Sequence, residues 1–299
     1  MDYCSAGESK SIVYTREEAI QLMCCLTLGV YPYNMNGSSF VGIQNEVNCK
    51  EKFLMLEEYL NRMAQGTIPQ EDVVFRRSVL TEPLTEEALL QSTVPLSEVT
   101  FTTSFGIEDF PQSSYVVFAN EVPFNGCFST SCTQEQIMCM LFPEACLGKH
   151  IFDPMEPLEA ISVSGCVRVG TYSGYGYRLR YEGPYTETTT PAQLLFMDAL
   201  CCEGKEQFAH QKMLREINKA YCAFSMVPAG NAIASGKWGC GVFNGDPYLK
   251  SLLQWVSASL VGKKLELALF DSPDIEPFVR RVQSKVQTVG DLSKCYILW

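Results

Sequence analysis

The stretch Tyr115-Val116-Val117-Phe118-Ala119-Asn120, followed by Phe124-Asn125-Gly126 and then by Thr133-Gln134-Glu135-Gln136, decides the fold. Its first part is a run of aromatic and β-branched residues, as a strand requires, and its last part opens a short helix. A strand that ends in a loop and feeds a helix is where open α/β sheets hold ligands. Runs of the same strand-like kind recur at Val73-Val74-Phe75, Val99–Thr102, Ala160–Val163, Tyr177–Tyr181, Leu194–Met197 and Leu265–Phe270. Between them lie helical patterns, one with Leu214, Ile217 and Tyr221 on one face and another with Leu249, Leu252, Leu253, Val256 and Leu260. Strands and helices mix over residues 70–299 without a linker, so the expected class is α/β.

Upstream, Thr15 and Glu18 form a capping box, and Ala19, Leu22, Met23 and Leu26 follow on one face of a helix that starts near Arg16. A second helix is expected from about Cys49 to Met63, with Phe53, Leu56, Leu60 and Met63 inward. Residues 1–69 thus read as a helical N-terminal extension and residues 70–299 as the core, a division of convenience within one continuous unit.

The chain has 299 residues, 46% hydrophobic and 19% charged, which fits a globular protein and excludes a mainly disordered one. Its 23 basic against 34 acidic residues leave a net charge of −11, so direct DNA binding by bulk charge is not expected and a phosphate must be held by a local site. The longest apolar stretches, such as Leu22–Val30, fall far short of the roughly 20 residues that span a bilayer, so no membrane association is expected. Met1-Asp2-Tyr3-Cys4 shows no secretory signal. The 14 cysteines include the neighbours Cys24-Cys25 and Cys201-Cys202, a pattern of reduced thiols in the cytoplasm or nucleus, where the sequon Asn36-Gly37-Ser38 carries no glycan.

Three local features bear on chemistry. The segment Gly236-Lys237-Trp238-Gly239-Cys240-Gly241-Val242-Phe243-Asn244-Gly245-Asp246-Pro247 leaves backbone amides accessible and runs into a helix capped by Asp246, with Pro247 at its first position. Such a loop either cradles a phosphate or is a tight turn without a ligand. Tyr172-Ser173-Gly174-Tyr175-Gly176-Tyr177 either sets rings against a base or is an edge strand with turns. Glu135, taken alone, is either a solvated helix residue or a catalyst. Cys127, Cys132, Cys139 and Cys146, with His150 nearby, lack paired CxxC spacing, so no metal site and no cofactor is expected. His210 shares a helix face with Leu214, Ile217 and Tyr221 and reads as structural, and no GxSxG marks a hydrolase triad.

Taken in order, these segments resemble poly(ADP-ribose) glycohydrolases, macrodomain-type enzymes that cleave ribose–ribose bonds in poly(ADP-ribose). The match rests on Val116–Glu144, Thr171–Tyr177 and the run from Arg215 through Trp238-Gly239-Cys240-Gly241 to Gly245-Asp246, the most specific of the three, and it covers about residues 12–299. The resemblance implies a macrodomain-like mixed central sheet with flanking helices. It also implies a cleft for ADP-ribose, poly(ADP-ribose) or proteins that carry the modification. By that resemblance Ile107, Glu108 and Gln134 fall where adenine is contacted, and Phe270 matches the ring stacked on it. Asn120 falls at a ribose contact, Tyr172 at the tyrosine that closes over the ligand, and Lys237, Trp238, Gly239, Cys240, Gly241, Val242 and Phe243 beside the diphosphate.

Departures from the family pattern gather at the reaction centre. The signature of three glycines, a spacer and Gln-Glu-Glu is here Phe124-Asn125-Gly126 and Gln134-Glu135-Gln136. Glu135 is retained, but the second glutamate, the general acid, is Gln136, and an aspartate of the catalytic set is Val117. General acids contribute about 10²–10⁴-fold, and a departing sugar oxygen needs a proton that a carboxamide does not supply. The expectation is an ADP-ribose-binding protein with impaired or absent hydrolysis. One alternative is an active glycohydrolase that uses a non-standard acid such as Glu135. The other is an interaction scaffold with an occluded cleft, because Phe124 brings a benzyl group where the family has hydrogen.

Overall fold

The computed structural model describes residues 2–30, 40, 49–187, 191–202 and 204–297, so the Asn36 sequon lies outside the described residues. In chain order the elements are β1 (Lys10–Tyr14), α1 (Arg16–Leu28), α2 (Lys50–Ala64), β2 (Val73–Val79), α3 (Glu86–Leu90), β3 (Val99–Thr102), β4 (Ser114–Ala119) and α4 (Gln134–Leu141). They continue with β5 (Glu159–Ser164), β6 (Gly170–Ser173), β7 (Arg180–Pro184), β8 (Gln193–Asp198), α5 (His210–Phe224), β9 (Ile233–Gly236), α6 (Pro247–Leu260), β10 (Leu265–Ala268), α7 (Ile275–Gln283) and α8 (Val289–Ile297). Short 3-10 turns add 107–109, 143–150, 176–178 and 204–208. Among the described residues no helix is long and apolar enough to cross a membrane.

The chain forms two compact units, each drawn from separated segments: residues 1–77, 122–154 and 163–190 in the first, and 78–121, 155–162 and 191–299 in the second. In the first unit β1 pairs antiparallel with β2, from Lys10 opposite Arg77 to Tyr14 opposite Val73. The N-terminal segment therefore contains a strand besides its two helices, one that the helical reading omits. Helix α1 starts at the expected capping box, with the Glu18 side chain accepting from the Thr15 amide at 2.8 Å. Arg16 lies buried against Glu144 at 2.6 Å. Helix α2 turns a different face inward from the expected one: Lys52, Met55, Leu56 and Tyr59 are buried, whereas Phe53, Leu60 and Met63 are only half-buried. A buried lysine defeats the apolar pattern because its ammonium ends on carbonyl oxygens, Ser129 at 2.7 Å and Gly126 at 3.3 Å. The β6–β7 hairpin carries a bulge at Thr171/Tyr172, and the expected strand at Tyr177–Tyr181 is instead a 3-10 turn running into β7.

In the second unit the strands follow the hydrogen-bonded order β5-β8-β4-β9-β10-β3. The β4–β8, β4–β9, β9–β10 and β10–β3 pairs are all parallel. Parallel strands are buried on both faces, which is why Tyr115, Val116 and Val117 are all inward although alternate residues point to opposite sides. Leu195, Ile217, Ala220, Trp238, Leu253, Trp255 and Val256 belong to the core that packs around them, fed by α5 and α6. Parallel pairing in one unit and antiparallel pairing in the other, with helices alongside, make the architecture mixed α/β.

Candidate ligand and catalytic site

In the first unit the site is built at the start of α4. Thr133 caps that helix, and its amide donates to Gln136 Oε1 at 2.9 Å, joined by the Ser131 hydroxyl at 3.1 Å and by the Thr133 hydroxyl. A backbone N–H donates to an oxygen only, so this contact fixes which end of the carboxamide is which. The Gln136 Nε2 then faces Glu135 and donates to its Oε2 at 3.0 Å, while the Phe124 amide donates to Oε1 at 2.7 Å. Both side chains are buried, Glu135 at 3% exposure and Gln136 at 4%. Burial pushes the Glu135 carboxyl up to about 8, with the nearby Cys127 adding to the rise and the Phe124 N–H and Lys149 opposing it. Glu135 is therefore no solvated helix residue: it keeps its proton through neutral pH.

Phe124 takes a left-handed backbone, φ +63, a conformation that glycine adopts more readily than phenylalanine. Its ring is wholly buried and lies stacked on Phe152, with centroids 6.3 Å apart. It packs so closely on Gly148 that a Cβ there would stand 2.5 Å from the ring. The benzyl group is thus absorbed into the core of its own unit. Gly126 is pinned in the same way, since a Cβ would meet the Gln136 amide at 2.3 Å. The tyrosine–glycine cluster meets this corner: the Gly176 amide donates to the Cys132 carbonyl at 3.1 Å, and Tyr172 sits half-buried on β6 opposite Tyr181.

In the second unit the candidate residues gather at the carboxyl ends of parallel strands. Asn120 follows β4, Lys237 follows β9, and Phe270 stands two residues beyond β10, in a turn with φ +47 and its ring 52% exposed. Ile107 and Glu108 form a buried 3-10 turn beside them. Gly236 lets these elements close up, because a Cβ there would lie 2.8 Å from the Ala268 carbonyl, 3.5 Å from the Phe118 ring and 3.7 Å from Ile107. Lys237 pairs with Asp271 and reaches the Ser272 hydroxyl at 3.1 Å, tying β9 to the Phe270 turn. Val117 has no access to this end; it is fully buried in mid-strand, opposite Phe196.

The glycine loop divides between structural and accessible parts. Trp238 is fully buried, its indole N–H donating to the Met197 carbonyl at 3.1 Å with the Lys250 ammonium 4.4 Å over its ring. Gly239 has φ +73, and a Cβ on it would meet Ala199 at 2.5 Å. Burial raises the Cys240 thiol to about 12. Phe243 packs on the core through its ring. By contrast Gly241 faces open space and Val242 is 76% exposed, and among the described residues the amides of Gly241, Val242 and Phe243 make no hydrogen bond within the chain. These amides are donors that the chain itself leaves unused. Asp246 caps α6 as expected, accepting from the Leu249 amide at 2.8 Å, with Pro247 at the first position. That carboxylate already occupies the positive end of the helix, so the loop amides and not the helix terminus are what the segment offers an anion.

Two features escape the sequence reading. Beneath the loop lies a buried charge cluster. Within it Arg215 meets Glu216 at 2.7 Å and Lys219 meets Asp198 at 2.6 Å, while Lys250 pairs with Glu216 and Arg215 with Asp198. Burial brings Lys250 down to about 7. In the first unit Cys127, Cys139 and Cys146, separated along the chain, converge with their sulfurs within 4.8 Å of one another, and Cys132 and His150 are not part of the group.

Comparison with known proteins identifies the family. The sequence profile described as "Poly (ADP-ribose) glycohydrolase (PARG), Macro domain fold" matches residues 86–276. Poly(ADP-ribose) glycohydrolase 1 of Caenorhabditis elegans is 29% identical over 82% of this chain, which spans 35% of that protein's length. Probable poly(ADP-ribose) glycohydrolase 2 of Arabidopsis thaliana is 25% identical, covering 96% of this chain and 69% of its own length. Among solved structures, poly(ADP-ribose) glycohydrolase of Deinococcus radiodurans in complex with ADP-ribose aligns at 15% identity and a TM-score of 0.40, over 67% of this chain and 90% of that one.

Proposed function

The chain belongs to the poly(ADP-ribose) glycohydrolase family, and from that premise we propose that it binds ADP-ribose, free or as a unit of poly(ADP-ribose), while hydrolysing the ribose–ribose bond poorly or not at all. One observation carries the reading. Gln136, the residue that the resemblance of this motif to the family signature sets at the general acid, has Oε1 accepting from the Thr133 amide and Nε2 donating to Glu135. Every proton on that carboxamide is held by a nitrogen that does not release it near neutral pH, so the departing ribose oxygen gains at most a hydrogen bond. Removing a general acid costs about 10²–10⁴-fold in rate, whereas binding rests on groups that are still present. Those are the unpaired amides of Gly241, Val242 and Phe243 for phosphate, and the exposed Phe270 ring for a base.

Fluorescent poly(ADP-ribose) provides the test, alongside calorimetry with ADP-ribose. Turnover at least roughly 100-fold below a competent relative is expected, together with measurable heat. Turnover within about tenfold of that relative overturns the loss of catalysis, and no heat at millimolar ligand overturns the binding. Gln136→Glu is expected to raise hydrolysis. The companion change Val117→Asp puts a carboxylate at a fully buried strand position and is expected to cost several kcal/mol of stability, so the single variant is the cleaner experiment.

A second reading has its own observation. Glu135 retains a proton up to about 8, which suits a general acid. If Glu135 serves as the acid, the unmodified chain turns over at neutral pH, and Glu135→Gln abolishes that activity while leaving ADP-ribose binding intact.

A further inference from the structure

We propose that Cys127, Cys139 and Cys146 form a three-sulfur site for a soft monovalent metal ion, with copper(I) as the ion that fits. Cys127 comes from the loop after Gly126, Cys139 from the second turn of α4, and Cys146 from the 143–150 turn. All three are fully buried and their sulfurs lie within 4.8 Å of one another. A metal bound to three thiolates at about 2.3 Å in a plane needs sulfurs roughly 4 Å apart, so the trio closes on an ion by a contraction of less than about 1 Å. Ligand number and softness select the ion. Structural zinc takes four ligands, and among the described residues the group contains no fourth. Copper(I) is satisfied by soft sulfur donors. Three thiolates and one monovalent ion leave a double negative charge, and a buried cation stands next to it. Lys52 holds its ammonium on the carbonyls of Ser129 at 2.7 Å, Gly126 at 3.3 Å and Cys127 itself at 3.4 Å. Its charge acts on both Cys127 and Cys146. Uptake displaces the thiol protons to solvent and changes no oxidation state. Since the sulfurs have no solvent exposure, the ion enters as the 122–154 segment folds or locally opens, and loading of the folded chain is expected to be slow.

The test uses the full chain, reduced and stripped of metal, with copper(I) delivered without oxygen from a coloured chelator that competes for it. The expected result is one ion per chain, held at least roughly 100-fold more tightly than by a Cys139→Ser or Cys146→Ala variant whose melting shows that it has folded. Cys201→Ser, which removes an exposed thiol, is expected to change nothing. X-ray absorption on the unmodified chain gives a reading independent of any variant, and three sulfurs at about 2.3 Å are expected. The proposal is overturned if no copper(I) is retained against the chelator, if both variants retain it as the unmodified chain does, or if zinc(II) is taken in preference. A two-sulfur or four-sulfur spectrum overturns it equally.

Discussion

Glu135 and Gln136 adjoin in the chain, and the difference between a carboxyl and a carboxamide separates their chemistry. The motif is legible from the sequence, because the spacing from Gly126 to Gln134-Glu135-Gln136 is read directly. The protonation of Glu135 is not, since it depends on how completely α4 is enclosed, and every residue from Glu135 to Leu141 is buried. That burial has a measurable consequence. In the unfolded chain the carboxyl loses its proton near its ordinary value of 4.5, and in the folded chain near 8. Between those values the native state binds the extra proton, so stability falls as pH rises through this window, and the full cost is present above it. Glu135→Gln removes the ionisable group. Its stability is expected to stay flat across this window while that of the parent falls by a few kcal/mol, because each tenfold difference in proton affinity between the folded and unfolded chain is worth about 1.4 kcal/mol; the lost acceptor facing Phe124 or Gln136 lowers the variant by the same amount at every pH. Urea unfolding across the pH range checks this, and two parallel stability curves would contradict it. Phe124 is a further case where the residue is legible and its direction is not, because only the packing on Gly148 and Phe152 shows where the ring goes.

At the scale of elements, legibility follows how local the cause is. Asp246 and Pro247 are a local signal, and α6 begins where they say. Helix α1 likewise follows its capping box. Strand β9, Ile233-Ala234-Ser235-Gly236, carries almost no strand propensity and forms because β4 and β10 pair with it from either side. The same contrast predicts two unlike mutations in the 236–247 segment. Asp246→Ala removes a cap from an otherwise sound helix and is expected to cost about 1 kcal/mol, with the loop retained. Gly239→Ala demands a left-handed alanine and a Cβ 2.5 Å from Ala199, over a floor formed by Lys250. It is expected to cost more than the cap does and, by displacing the adjoining amides of Gly241, Val242 and Phe243, to weaken ADP-ribose affinity at least tenfold. Denaturant melts and calorimetry on the two variants test the ranking. Equal binding by both would detach the loop from the ligand.

For the whole molecule, the class is readable from the mixture of strand and helix runs, whereas the division into units depends on contacts between distant segments that no local pattern announces. Residues 1–77 fold together with 122–154 and 163–190, and the buried charges show what that interleaving commits the chain to. Arg16 supplies the cation for Glu144, whose carboxylate is fully buried and whose other oxygen accepts from the Val167 amide at 3.2 Å. Lys52 supplies the donor for three carbonyls between Gly126 and Ser129. A protein cut to residues 70–299 loses both cations and also the β1 partner of β2. Stripping one member from a buried ion pair costs about 3–5 kcal/mol, a large share of the roughly 5–15 kcal/mol that usually holds a domain. The first unit of the shortened chain is therefore expected to show no cooperative unfolding transition at neutral pH. Arg16→Met in the full chain is expected to reproduce part of the loss, and less of it in acid, where Glu144 takes up a proton and no longer needs a cation. A 70–299 fragment whose residues 122–154 and 163–190 exchange their amide protons no faster than in the full chain would show that the first 69 residues are an attachment, and that Glu144 finds its counter-charge elsewhere.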